Sequence, residues 1–303
     1  MNPYYDDPAA VAAWHGDRSG RVNASEVAAI LGLCPYNTAL DIYLKKVDPQ
    51  PHVEQQLPMS DPRVWGHLFE PALARAYEID RNVTLIRVPP ATHPQLACLS
   101  ASADNLTESR DTVVELKKVG WRNSAEWGEA GSDVLPERIL VQVQTQMACY
   151  DIPVCDVVGL IGETDFRVMR VERDAKVCEI IADVVADFWR SVEDRDPPEP
   201  DWSHSATPDV IKRLHRPSAS ESITFDDSLL SELQTFTQAK QQIAHYEGIA
   251  KQAKARVEHA MGTASLGVLG NWKVTRREQL TRGYTVADRT SIVTTIRAPK
   301  ECK

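Results

Sequence analysis

The run DTVVELKKV (residues 111–119) sets Glu115 and Lys117 inside a stretch whose Thr112, Val113 and Val114 otherwise define a β-strand bound for the interior. Charged side chains seldom lie in a core unless something compensates their lost hydration, and a metal ion commonly does so. Upstream, Asp104 stands in a polar, turn-like segment, ASADNLTESR. Residues two apart on a strand share a face, so Glu115 and Lys117 point the same way. An Asp at the end of one strand and a Glu on its neighbour can converge across a hairpin. The Leu116 carbonyl between the charged pair adds a third hard oxygen. This set suits phosphodiester hydrolysis: carboxylates hold an ion, and Lys117 positions or helps deprotonate the attacking water and offsets charge on the phosphate. The Glu-x-Lys triplet is common, and taken alone it is better explained by a solvent-facing hairpin; Asp104, the turn and the apolar flanks bring the two readings level.

A chain of 303 residues can bury a full core and carry a smaller appendage. Its formal net charge of −9 argues against a non-specific nucleic-acid coat but not against a nuclease, whose basic groove can be local. The six cysteines, at 34, 98, 149, 155, 178 and 302, form no CxxC pair. With no signal-peptide pattern and no membrane-length apolar run, a cytoplasmic protein with reduced thiols is expected.

Residues 1–22 read as a polar arm. Asn23 and Ser25 are capping candidates for a helix carrying Val27, Ile30 and Leu31, ended at Gly32. A second helix is expected over 38–46. A third, over 61–77, should turn Trp65, Leu68, Phe69, Leu73 and Ala76 inward. Strands are expected at 83–88, 97–102 and 111–119. Then come a helix of about fifteen residues after Pro136, strands CDVVGLIG and DFRVMRV, and an amphipathic helix burying Val177, Ile180, Ile181, Val184, Val185 and Phe188. This defines an α/β core over 23–202. A proline-bearing linker is expected over 203–225. An accessory region over 226–303 begins with a long helix bearing one apolar seam from Leu229 to Ala260. That seam fits either packing within its own domain or an intermolecular coiled coil. A small β unit, with strands GNWKVTRRE and TSIVTTIRA, closes the chain.

Six blocks in order, ASEVAAILGLCPYNTALDIYLKK, WGHLFEPALARAYE, ASADNL, VVELKKV, ERILVQVQTQMACY and DFWRSVEDRDPPEP, resemble the YqaJ-type viral recombinase domain. That family includes the phage lambda exonuclease within the PD-(D/E)XK nuclease fold, and the resemblance covers roughly residues 21–202. It implies a central mixed sheet flanked by helices and a Mg²⁺-dependent exonuclease, with Mn²⁺ able to substitute and a two-metal site. Such an enzyme resects double-stranded DNA ends from the 5′ side and leaves a 3′ single strand for an annealing protein. It also implies a homo-oligomer, encoded by a phage or prophage. Asp104, Glu115 and the Leu116 carbonyl become the implied metal ligands, Lys117 the catalytic lysine and Glu70 the helix-borne acid near them. Gln142, and behind it Gln146 and Tyr150, occupy the family's glutamine helix, with Gln144 beside them as a DNA contact. Ser25 matches a phosphate-binding serine at the first helix, where free N–H groups favour anions, although plain N-capping also explains it. Arg21 is the nearest partner for a terminal phosphate.

The family's Pro-Asp-Gly turn is here Ala103-Asp104-Asn105, and Asn is expected to supply the left-handed conformation of the missing glycine. Trp65 and Trp121 fit base stacking or core packing. Trp272, Lys273, Arg276 and Arg277 of the accessory region fit DNA contact or a solvated face. The competing functions are a structure-selective or single-strand nuclease, including an endonuclease, and a non-catalytic DNA-binding or assembly protein on the same fold.

Overall fold

A computed structural model of the chain describes residues 18–49, 57–215, 217 and 222–280. It divides into two compact units, one ending at Leu214 and the other beginning at His215.

In the first unit, helix α1 (Ala24–Ile30) starts from Asn23, whose backbone N–H donates to the Glu26 carboxylate at 2.9 Å, so one of the unpaired donors of the first turn is satisfied. The chain leaves α1 through Gly32 at φ +74°, a left-handed position suited to glycine. Helix α2 (Ala39–Val47) is capped by Thr38, which accepts from the Asp41 N–H at 3.2 Å. Helix α3 (Pro62–Arg81) begins with Pro at its first position behind an Asp61 cap and ends on left-handed Asn82. The short β1 (Val22–Asn23) pairs in parallel with β4 (Leu96–Ala101), which pairs antiparallel with β3 (Ala91–His93). The end of the expected N-terminal arm is therefore part of a sheet, with Val22 fully buried.

A five-stranded sheet runs in the order β2-β5-β6-β7-β8, made of β2 (Leu85–Ile86), β5 (Asn105–Thr107), β6 (Thr112–Val119), β7 (Val154–Ile161) and β8 (Asp165–Glu172). Strands β5 and β6 form an antiparallel hairpin. Strands β6 and β7 are parallel and joined through helix α4 (Glu137–Tyr150), as a parallel connection requires. Alternation along the strands sends Val113, Cys155, Val157 and Met169 to one face against Val143 and Met147 of α4. Val114, Leu116, Val158 and Val168 go to the other, against Leu73 and Tyr77 of α3. Helix α3 is also held by a polar tie: the Tyr77 hydroxyl donates to buried Asp156 at 2.7 Å, and Arg170 donates to the same carboxylate at 2.8 Å. Burial, then this hydrogen bond, raises the Tyr77 hydroxyl well above its ordinary pKa.

Helices α1 and α2, together with α5 (Ala175–Asp194) and α6 (Thr207–Leu214), pack around Leu99 and Ala101 of β4. Helix α6 corrects the expected linker. The proline-bearing stretch ends in a helix whose Val210 is 1% exposed and joins the core, because Pro208 is tolerated in a first turn. Two expected inward faces also differ. Trp65 and Leu68 are exposed, since α3 buries the narrower stripe of Leu73 and Tyr77, and the Trp65 indole N–H is satisfied by the Met59 carbonyl at 2.8 Å. Ile180 is exposed because α5 buries Ile181, Val185, Phe188 and Val192, one step around the helix. The strand expected over 83–88 is only Leu85–Ile86, stopped before Pro89 and Pro90.

The second unit contains α7 (Leu230–Met261), a helix of 32 residues, and an antiparallel hairpin of β9 (Leu266–Leu269) and β10 (Trp272–Thr275). The hairpin turns through Gly270 at φ +56°. Arg276 donates to the Gly262 carbonyl at 2.7 Å and so serves the C-terminal end of α7. The second expected strand, TSIVTTIRA, lies outside the described residues. Among the described residues no helix is long and apolar enough to cross a membrane.

Candidate active site

Glu115 lies on β6, 2% exposed, and three side chains converge on its carboxylate. Lys117 and Gln142 donate to Oε1, Gln142 at 2.6 Å, and Gln146 donates to Oε2 at 2.7 Å. The register Asn105↔Val114 puts Asp104 beside Glu115 just before β5 begins. There Asp104 Oδ2 accepts from the Leu116 N–H at 2.8 Å, replacing a ladder bond where β5 has stopped. The N–H and C=O of one strand residue point to the same edge, so the Leu116 carbonyl faces the Asp104 side as well.

The electrostatics follow from this crowding. Burial, then the charge of Glu115, pushes the Asp104 carboxyl well above the carboxylate range, and Glu70 adds to the shift. Burial would lower the Lys117 ammonium, but Glu115 and Asp104 outweigh it and hold Lys117 above its ordinary value. Half-buried Asp104 therefore holds its proton beside buried Glu115, and a cation at this point would favour its ionised form.

The donor chemistry fits a hard divalent ion: two carboxylates and a backbone carbonyl, all oxygen. Among the described residues no three of His, Cys, Asp and Glu form a metal cage by themselves. Glu70, on α3, lies near enough for its charge to act on both Asp104 and Lys117, while its Oε1 is bonded to His67 at 2.9 Å.

Helix α4 supplies a polar stripe on an otherwise apolar helix. Gln142, Gln146 and Tyr150 recur at four-residue steps and so share one face. Gln146 is fully buried, and its amide N–H₂ bridges Glu115 and the Ser102 carbonyl, the latter at 3.0 Å. Tyr150 accepts from the Ala103 N–H at 3.2 Å and donates to the Pro89 carbonyl at 2.8 Å, which braces the segment leading to Asp104. The sequence placed Gln146 and Tyr150 behind Gln142, whereas Gln146 touches Glu115 as directly as Gln142 does; the four-residue spacing was the available signal.

Gln144 belongs elsewhere. Two residues along a helix turn the side chain to the opposite face, and Gln144 is buried with its amide on the Glu172 carbonyl and Asp174 N–H, at 2.8 and 2.9 Å. It braces the β8–α5 junction and is not presented to DNA. Ser25 is exposed at the start of α1, where its Oγ accepts from Arg18 at 3.3 Å, and the first-turn cap is Asn23. Arg21 Nε donates to the Ala97 carbonyl at 3.0 Å, tying β1 to β4. Asn105 opens β5 in ordinary strand conformation, so the departure from Pro-Asp-Gly requires no left-handed residue there. Trp121, 71% exposed, lies against Gly162, where an added Cβ would come within 3.1 Å of its ring. Lys118, on the α3 face of β6, reaches the Gly162 carbonyl and sits 5.7 Å from the Phe69 ring centre.

Asp104, Glu115 and Lys117 thus gather at the β5–β6 hairpin of a mixed, helix-flanked sheet. Residues 13–153 match the family described as the YqaJ-like viral recombinase domain. The uncharacterized protein YqaJ of Bacillus subtilis (strain 168) is 26% identical over 265 residues, 86% of this chain and 81% of that protein. The alkaline exonuclease of Laribacter hongkongensis superposes with a TM-score of 0.51 at 22% identity, covering 61% of this chain and 93% of that one. The structure of that exonuclease in complex with dAMP gives a TM-score of 0.50 at 21% identity, over 67% and 96% of the two chains. The fold is that of these exonucleases.

Proposed function

We propose that the chain is a metal-dependent deoxyribonuclease that degrades linear double-stranded DNA from the 5′ end, leaving 3′ single strands for an annealing protein in phage-type recombination. The observation that carries this is the pairing of buried Glu115 with half-buried Asp104 beside Lys117 and the Leu116 carbonyl. The YqaJ-like domain supports it, as does a fold shared with an alkaline exonuclease solved with dAMP.

Asp104, Glu115 and the Leu116 carbonyl would hold Mg²⁺, or Mn²⁺ in its place. The ion, when bound, supplies Lewis-acid polarisation of the scissile phosphate and a more acidic water. Glu115 is aimed by the two glutamine amides and so enters the reaction already oriented. Lys117, kept protonated by its acidic neighbours, donates a hydrogen bond to a phosphate oxygen or the attacking water and offsets growing negative charge. Water adds to phosphorus, the bond to the 3′ oxygen breaks, and that oxygen leaves with a proton, releasing a mononucleotide. A two-ion form would draw on the Glu70 carboxylate, whose Oε1 is bonded to His67.

The test is digestion of linear duplex labelled separately at its 5′ and 3′ ends, with Mg²⁺ and with EDTA. Early release of the 5′ label, abolished by EDTA, supports the reading. Cutting of closed circles, or of single strands only, replaces it with the structure-selective alternative.

A further inference from the structure

Helix α7 is 32 residues long, about 48 Å at 1.5 Å per residue. From Phe236 onward its apolar residues recur in a heptad: Phe236, Ile243, Ala250 and Val257 at the first core position, and Ala239, Tyr246, Ala253 and Ala260 at the second. Phe236, Ile243, Tyr246 and Val257 are exposed, and none of the helix's residues is buried. A repeat of 3.5 residues keeps a seam straight only against another long helix wound around it, since packing on a globular core follows 3.6. The longest other described helices, α3 and α5, have 20 residues each and already bury their apolar stripes in the first unit. A helix matching α7 in length exists on a second copy of the chain.

We propose that α7 pairs with α7 of a second copy as an antiparallel two-stranded coiled coil. Charge selects the orientation. Lys240 and Glu247 occupy equivalent positions flanking the core, one heptad apart. In the antiparallel register that overlaps the whole helix, Lys240 lies across from the partner's Glu247, twice by symmetry. Sliding by one heptad sets Lys240 against the partner's Lys254 and Glu247 against the partner's Glu247, which repel. In a parallel pair, Lys240 faces the partner's Thr235 and Glu247 the partner's Gln242, so neither charge meets its opposite.

Side-chain volume agrees with the same register. Phe236 layers on the partner's Ala253, large against small, while Ile243 meets the partner's Tyr246 at the centre. The antiparallel pairing puts the N-terminal ends of the two α7 helices at opposite ends of the coiled coil.

The full-length chain is measured by sedimentation velocity, independently of any nuclease activity. The proposal expects Ile243→Glu to halve the mass of the wild-type particle, with helix content by circular dichroism still native-like in the first unit. It expects Lys240→Glu to raise the dissociation constant several-fold and the double change Lys240→Glu with Glu247→Lys to restore it. A particle mass unchanged by Ile243→Glu overturns the pairing. Lys240→Glu without effect overturns the antiparallel register.

Discussion

The Gln146 amide nitrogen lies 2.7 Å from Glu115 Oε2, while Gln142 takes the other oxygen of the same carboxylate at 2.6 Å. The two glutamines hold Glu115 from one helix face and fix the plane of its carboxylate before any ligand arrives. Gln146 also reaches the Ser102 carbonyl, two residues before Asp104, so one amide links the segments that carry both carboxylates.

Gln146→Leu, which keeps the volume and removes the amide, should therefore loosen Glu115 and the approach to Asp104 together. Loss of such an outer contact typically lowers metal affinity or activity about 10–100-fold. Cleavage rate against Mg²⁺ concentration checks this: the half-saturating concentration should rise more for Gln146→Leu than for Gln144→Leu, whose amide serves Glu172 and Asp174.

The raised pKa of Asp104 sets a sign for pH. In the folded, metal-free protein this group binds a proton that the unfolded chain has already lost above about pH 4. Its contribution to stability falls as pH rises from that value through the folded pKa. A divalent ion replaces the proton, so the gain in Tm from Mg²⁺ over EDTA should grow with pH across this window. Paired thermal melts at several pH values measure it.

Burial pushes the Cys149 thiol up to about 12 and the Cys155 thiol well above its ordinary value. Neither should react with an aromatic disulfide reagent at pH 8 in the folded protein. Both should react at once in guanidinium chloride, and peptide mapping of the alkylated sites separates them from the more exposed Cys34.

Helix α6 predicts a stability contrast. Val210→Asp places a charge in a fully packed position and should destabilise the first unit by about 3 kcal/mol or more. Ile180→Asp, on the exposed face of α5, should change stability by less than about 0.5 kcal/mol. Urea denaturation of the two variants makes the comparison.

Much of the sheet was legible because its strands are β-branched and bounded by turn residues: β6, β7 and β8 match the runs expected from pattern to within a residue. The site was legible where its residues share a strand, as Glu115 and Lys117 do. Two kinds of feature escaped. Which apolar residues of α3 and α5 turn inward depends on the sheet and helices they meet, and local periodicity placed Trp65 and Ile180 inward although both are exposed. Helix α6 hid among prolines, because a proline at a helix start and one in a linker look alike in sequence. Gln144 shows the same limit on the functional side, since adjacent glutamines of one motif face opposite directions and only the packed helix separates them.

The central claim is that Asp104, Glu115 and Lys117 form a hydrolytic site, and a comparison of cleavage and binding in one variant tests it most directly. Lys117→Ala is assayed for release of nucleotides from linear duplex in Mg²⁺ and for retention of the same duplex in Ca²⁺. Binding should persist within a few-fold while release falls about a hundred- to a thousandfold, the scale expected when one group that stabilises the transition state is removed. Cleavage by Lys117→Ala at the wild-type rate would contradict it, as would a wild-type protein that binds duplex tightly and releases nothing with Mg²⁺.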